Sequence, residues 1–250
     1  MLLFTRPLPK LNVSAAAFEQ AEIDAVGVAT TDIVYVRTES DAARQFLRDN
    51  TVDIVIVTSV YAVETAVASV AKSTSQALPI FIAVGDATAR KLRFGLANIK
   101  GATVLTPSTH TSEGILAMHQ FDDENVQHVV IIKGEGGRDA IEQGLRNRHK
   151  QLGKVLDISI FCVYKREQLS SPISTKYWKI SDVSGIIATS ESMAMQLLAY
   201  FGNALLPLPW VCVSERIAAS LIKMGATRVS VCSRATDQAL IAWVKDNWEY

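Results

Sequence analysis

Short apolar runs rich in β-branched residues alternate along the chain with segments of helical periodicity. The runs are LLFT, DIVIVT, PIFIAV, ATVLT, HVVIIK, VLDISIFCVY, GIIAT, WVCV and RVSVC, and each but the long sixth is followed by a helix-like segment. A strand that passes through a helix before the next strand returns in the same direction, so the alternation predicts parallel sheets. The runs are continuously apolar rather than alternating, as strands are when helices cover both faces of their sheet. Nine runs exceed one small doubly wound sheet, so the pattern predicts two α/β domains.

Internal repetition sharpens that division. IVIVTSVYAVETAV (54–67) resembles GIIATSESMAMQLL (185–198), each a strand closed by Thr-Ser and followed by a helix. The stretch from Phe81 to Met118 parallels that from Trp210 to Val244: strand, small-residue turn, helix ending near a glycine, short strand, then a Ser/Thr-Asp/Glu pair opening another helix. The first copy continues into KGEGGRD, whereas the second ends at the C-terminus and lacks its last strand-turn-helix, which the N-terminal LLFTRPLPK supplies. The domains are therefore expected to interleave. Residues 1–32 join 167–250 in one, residues 39–160 form the other, and 33–38 and 161–166 are two linkers forming a β hinge beside an interdomain cleft.

In parallel sheets ligands bind beyond the C-terminal ends of the strands, where helix N-termini point. The turns at those ends are Thr5-Arg6-Pro7, Thr58-Ser59, Gly85-Asp86-Ala87-Thr88, Thr111-Ser112-Glu113, Lys133 to Arg138, Thr189-Ser190, Ser214-Glu215 and Thr236-Asp237. Helix capping explains small polar residues at such places one at a time; Glu113 and Asp237 read as first-turn complements of a helix dipole. Capping does not explain their repetition with Arg6, Lys133 and Arg138 alongside, which suits an anion carrying several carboxylates. KGEGGRD itself is no nucleotide motif. No Lys-Ser/Thr pair follows its glycines as in a P-loop, and Asp139 stands where the dinucleotide pattern requires its third glycine.

Composition narrows the partners. Lys plus Arg and Asp plus Glu are 25 each, so no bulk basic field points to nucleic acid or an anionic membrane. The N-terminal MLLFTRP is too short for a secretory signal, and no apolar run approaches the roughly 20 residues of a membrane span. The three cysteines, Cys162, Cys212 and Cys232, lie in apolar strand patterns and read as reduced thiols of a cytoplasmic protein. The four histidines, His110, His119, His128 and His149, lack metal-ligand spacing and are expected in surface or loop positions, so no metal is expected. No nucleophile elbow is present. Tyr164, in FCVYKRE, is the titratable side chain expected to overlook the cleft near the hinge, although its position alone favours a packing role.

Taken in order, TSVYAVE, AVGDATARKL, HTSEGIL, IIKGEGGRD, VYKRE, VSERIAASLIKMG and ATDQAL resemble the uroporphyrinogen-III synthase family, and the similarity runs from LLFTRP to the final helix. The resemblance implies cyclisation of hydroxymethylbilane to uroporphyrinogen III, with inversion of ring D and without metal or organic cofactor. It implies that Tyr164 assists departure of the hydroxyl as proton donor. It further implies that Arg6, Thr58, Ser59, Gly85, Thr88, Lys133, Gly134, Glu135, Gly136, Gly137, Arg138, Thr189, Ser190 and Ser214 hold the eight carboxylates of the substrate. The family's usual R-G-E-x-G-R begins here with Lys133, a point charge without arginine's bidentate fork. A monomer is expected, in transient contact with the enzyme that makes hydroxymethylbilane. The reading from residues alone also admits a two-lobed anion-binding sensor without catalysis.

Overall fold

A computed structural model of the chain describes residues 1–70, 78–136 and 139–248. In chain order the elements are β1 (Leu2–Thr5), α1 (Leu8–Gln20), β2 (Ala25–Tyr35), α2 (Arg37–Asp49), β3 (Ile54–Val57), α3 (Val63–Val70), β4 (Ile80–Ala83) and α4 (Asp86–Gly95). There follow β5 (Thr103–Leu105), α5 (Ser112–Leu116), β6 (His128–Gly134), α6 (Ala140–Gln151) and β7 (Asp157–Ser174). The chain ends with β8 (Gly185–Ala188), α7 (Glu191–Phe201), β9 (Trp210–Cys212), α8 (Glu215–Lys223), β10 (Val229–Val231) and α9 (Asp237–Asn247). Two compact units result, Met1–Ile33 with Glu167–Tyr250, and Val34–Arg166.

In the first unit the strand order is β10-β9-β8-β1-β2, every pairing parallel. All four residues of β1 are buried, and their alternation divides them between two clusters. Leu3 joins Ile186, Trp210, Leu197 and Leu221 on the side of α7 and α8. Leu2 and Phe4 join Leu11, Phe18, Leu240 and Val244 on the side of α1 and α9. Period-two side chains on a strand with helices on both faces give that result, and it is why the strand reads as continuously apolar. Each Leu, Ile or Phe so buried contributes about 1.5–3 kcal/mol of transfer free energy.

The second unit repeats the plan with the order β7-β6-β3-β4-β5, again parallel throughout. Ile54, Ile56, Ile82, Val129 and Ile131 pack with Ile115, Ile141 and Leu145 of α5 and α6. Val55, Val57, Phe81, Val130 and Ile132, alternate to these, are also buried. The expected parallel α/β architecture is observed. Among the described residues no helix is long and apolar enough to cross a membrane.

Residues 33–38 comprise the end of β2, which runs on to Tyr35, and the start of α2 at Arg37, and the boundary between the two units falls at 33/34. A Cβ on Gly27, within β2, would lie 2.6 Å from Cζ of Phe4, so the glycine marks close packing inside a strand. Residues 161–166 lie inside β7, a strand of 18 residues. His149 is 2% exposed rather than on the surface or in a loop. It follows Ile141 and Leu145 at four-residue spacing on the buried face of α6, and its Nδ1 lies 3.1 Å from the Leu145 carbonyl oxygen.

Candidate functional site

The stretch that carries the strongest sequence signal is also where the second unit's sheet departs from regularity. β6 and β7 pair in step from His128 with Asp157 as far as Lys133 with Cys162; the next residue, Gly134, pairs with Tyr164. One residue of β6 thus faces two of β7, a bulge that re-aims the Tyr164 side chain. The Glu135 amide donates to the Tyr164 carbonyl at 2.8 Å, which closes the pairing. The chain then turns through Gly136, whose φ of +70° lies in the left-handed region that favours glycine. Lys133 Nζ donates to Asp139 Oδ1 at 2.7 Å, tying the end of β6 to the residue that precedes α6. Gly137 and Arg138, expected to bind substrate, lie outside the described residues.

At the C-terminal ends of these strands opens a cavity of about 410 Å³. Its floor is Thr58 after β3, Val84 after β4, Lys133 and Gly134 of β6, and Tyr164 of β7. Its wall comes from His110, the first turn of α5 and Ile141, with Glu135 and Arg166 completing it. The position is the one that parallel α/β sheets reserve for ligands. Tyr164 is 4% exposed, and its ring packs tilted against that of Tyr61 with centroids 5.4 Å apart. His110 Nε2 lies 3.4 Å from Asp86 Oδ1 in the first turn of α4. The Thr111 hydroxyl accepts from the Gly114 amide at 3.1 Å and so caps α5. The lining thus carries cationic groups, Lys133 and Arg166, beside the carboxylates of Glu113 and Glu135.

Burial raises the Cys162 thiol above its ordinary pKa, an effect the neighbouring Lys133 partly offsets; the thiol is held protonated and is a poor nucleophile. Burial, then Glu64 and Tyr164, raise the Tyr35 phenol in the same unit. Among the described residues no cluster of three or more His, Cys, Asp or Glu is placed to hold a metal ion.

Of the sequence-predicted residues, the cavity brings together Thr58, Lys133, Gly134, Glu135 and Tyr164. Ser59, next to Thr58 in the chain, is not in the lining; its hydroxyl accepts from the Tyr61 amide at 3.3 Å. Gly85 is the N-cap of α4 in an extended conformation, and Thr88 is 6% exposed in the first turn of that helix. The first unit treats its predicted residues differently. Arg6, 6% exposed, donates to Asp237 Oδ1 at 2.5 Å and to Ser14 Oγ at 3.1 Å, and Ser14 in turn donates to Asp237 at 2.9 Å. Thr189 Oγ1 donates to the Thr5 carbonyl at 3.0 Å, Ser190 Oγ lies 2.9 Å from Ser192 Oγ, and Ser214 Oγ caps α8 by accepting from the Ile217 amide at 3.4 Å. Sequence reasoning passed over Tyr61, His110 and Arg166. Tyr61 and His110 lie within the motifs TSVYAVE and HTSEGIL, and Arg166 follows Tyr164 by two positions and so shares its face of a strand.

A family model described as uroporphyrinogen-III synthase HemD matches residues 12–242. Among solved structures, a mutant uroporphyrinogen III synthase from the extremely thermophilic bacterium Thermus thermophilus is 14% identical, with 98% of each chain covered and a TM-score of 0.57. The wild-type enzyme of that organism, in another crystal form, is 15% identical over 100% of both chains at a TM-score of 0.48.

Proposed function

The chain belongs to the uroporphyrinogen-III synthase family, and from that premise we propose that it cyclises and dehydrates hydroxymethylbilane to uroporphyrinogen III, inverting ring D. The observation that carries the reading is the family match over residues 12–242; the cavity at the strand ends, with Tyr164 beside Lys133 and Arg166, supplies a site for it. A linear tetrapyrrole with eight carboxylates is larger than a cavity of about 410 Å³, so the cavity is assigned to the end that bears the hydroxymethyl group. Lys133 and Arg166 hold carboxylates of that end through charge-assisted hydrogen bonds, and the Thr58 hydroxyl adds a neutral one. The Tyr164 hydroxyl gives its proton to the departing hydroxyl, which leaves as water and creates an azafulvenium cation beside the tyrosinate. The substituted carbon of ring D attacks the exocyclic methylene carbon of that cation, and rearrangement through a spiro intermediate followed by return of a proton to the Tyr164 oxygen closes the macrocycle. The net change is loss of one water. Unaided closure gives the type I isomer, so the protein's main task is to orient the chain.

The remaining predicted holders, Arg6, Ser59, Gly85, Thr88, Gly136, Gly137, Arg138, Thr189, Ser190 and Ser214, are proposed to serve the other carboxylates through their hydroxyls, amides or charge; those already bonded internally must exchange a partner to do so. The protein is proposed to work as a monomer in the cytoplasm, in keeping with its free thiols, and to receive substrate by transient contact with the enzyme that makes it. The deciding experiment generates hydroxymethylbilane in situ, adds the protein, oxidises the products and separates the porphyrin isomers. Predominant type III is expected; type I alone at the blank rate, from folded protein, would overturn the function. Tyr164→Phe is expected to slow turnover about tenfold or more, since proton donation in the transition state is typically worth about 10² to 10⁴ and this leaving group is already labile. Unchanged turnover removes Tyr164 from the mechanism.

A further inference from the structure

Gly134 lies in the strand that neighbours Tyr164, and its lack of a side chain is what leaves room for the tyrosine ring. A Cβ on Gly134 would meet the ring at three atoms, 2.4 Å from Cζ, 2.6 Å from Cε2 and 2.8 Å from the hydroxyl oxygen. Contacts under 3 Å between carbon atoms are deep in the repulsive wall, and the ring cannot yield cheaply because it is 4% exposed and already packed on Tyr61. The need for glycine is specific to this contact. Gly134 has no left-handed φ, unlike Gly136 at +70°, and a Cβ at Gly85, the other predicted glycine in a described exit turn of this unit, would meet nothing closer than 3.7 Å. The bulge contributes the second half of the arrangement: by pairing Gly134 with Tyr164 instead of Val163, it lays the phenol across the one position of β6 that presents only backbone.

We propose that Gly134 is a positioning residue for Tyr164, setting where the phenolic hydroxyl stands in the cavity, rather than a group that acts mainly by offering its own amide to a carboxylate. This rests on the proton-donor reading of Tyr164, and the test separates the two. Gly134→Ala, Tyr164→Phe and the double variant are compared for kcat, KM and type III fraction, together with the ¹⁹F spectrum of protein labelled with 3-fluorotyrosine, in which Tyr164 is assigned by its absence from Tyr164→Phe. If Gly134 acts through the phenol, Gly134→Ala lowers kcat by about the factor that Tyr164→Phe does, with KM within about threefold of the parent, and moves the Tyr164 resonance. The double variant is then no slower than Tyr164→Phe alone, because the two changes remove one interaction. Rate losses that multiply in the double variant, a KM effect without a kcat effect, or an unmoved Tyr164 resonance would each overturn the positioning role. If Tyr164→Phe turns over normally while the parent makes type III, the donor reading falls and the proposal with it, but the synthase reading stands.

Gly134→Ala could fail to fold for the very reason given, so stability is measured in a second background. In Tyr164→Ala the obstructing ring is gone, and Gly134→Ala/Tyr164→Ala is expected to match the urea midpoint of Tyr164→Ala. A midpoint lowered in that background as much as in the parent would show that the glycine answers to something other than the ring, and would overturn the proposal.

Discussion

The turns after β1 and β6 are built from similar residues and end in different chemistry. Each places a cation directly beyond or at the end of an apolar strand, Arg6 in one and Lys133 in the other, and each cation is nearly buried and bonded to an aspartate. Arg6 reaches Asp237, 231 residues away in the chain, through a network that also holds Ser14, and the Asp237 side chain is 28% exposed. Lys133 reaches Asp139, six residues on, whose side chain is 57% exposed, and lines an open cavity beside Tyr164. The first turn fastens β1 and α1 to α9. The second places its cation in the lining of a cavity. A basic residue at a strand exit therefore says little about ligand binding until its partner's exposure is known.

The comparison breaks most decisively at Asp237. Asp237→Ala leaves the guanidinium of Arg6, itself 6% exposed, with Ser14 as its hydrogen-bond partner among the described residues; stability is expected to fall by about 3 kcal/mol, as when one partner of a buried pair is removed. Urea denaturation checks this, and a loss below about 1 kcal/mol would mean that water reaches Arg6 after all. Lys133→Met should do the reverse. Its aspartate is solvated, so stability should change by less than about 1 kcal/mol, whereas KM for hydroxymethylbilane should rise about tenfold with loss of a charge-assisted bond. An unchanged KM would make the two turns alike.

Helix caps give a smaller contrast. Thr236 caps α9 by accepting from the Ala239 amide at 3.3 Å, and Thr111 caps α5 in the cavity wall. Alanine at either position should lower stability by about 1 kcal/mol, but only Thr111→Ala should alter KM, by about threefold; equal KM effects would show that the difference between the units does not extend to their caps. The smallest effects separate the units by pH. The Asp24 carboxyl of the first unit is held below its ordinary value mainly by the hydrogen bond from Lys176. Its stabilisation is present above about pH 3.9 and is lost as pH falls through the lower folded pKa. Tyr35 of the second unit is raised, so its contribution is present below about pH 10 and is lost as pH rises through the higher folded pKa. Asp24→Asn should flatten the acid limb of the stability profile and Tyr35→Phe the alkaline limb. Both side chains are well exposed, and each change should be about 0.5 kcal/mol or less, read from urea midpoints across pH.

Legibility in the sequence followed the range of the physics. Continuous apolar runs bounded by polar turns announce strands covered on both faces, and β1, β3 and β8 are buried at every position. β2 was missed because its Gly27 and the polar Thr30, Thr31 and Asp32 interrupt the pattern; Thr30 and Thr31 are nonetheless buried, both donating to Gln196 Oε1 at 2.7 Å from a helix far along the chain. In the cavity, Thr58, Lys133, Glu135 and Tyr164 could be named because they occupy strand exits in an ordered set of motifs, whereas Tyr61 and His110, inside motifs of the same set, were given no role because their part depends on which residues of other segments they meet.

The sequence by itself determined the parallel α/β plan, the family and the ends of the strands where a ligand belongs, because hydrophobic periodicity and motif order are properties of neighbouring residues. Only the tertiary structure decided that Arg6 is spent on Asp237 while Lys133 faces a cavity, and that Gly134 is a seat for Tyr164 as well as a turn residue. Those outcomes depend on which groups from distant segments arrive within about 3 to 4 Å, the range over which hydrogen bonds and steric repulsion act, and no spacing along the chain encodes that distance.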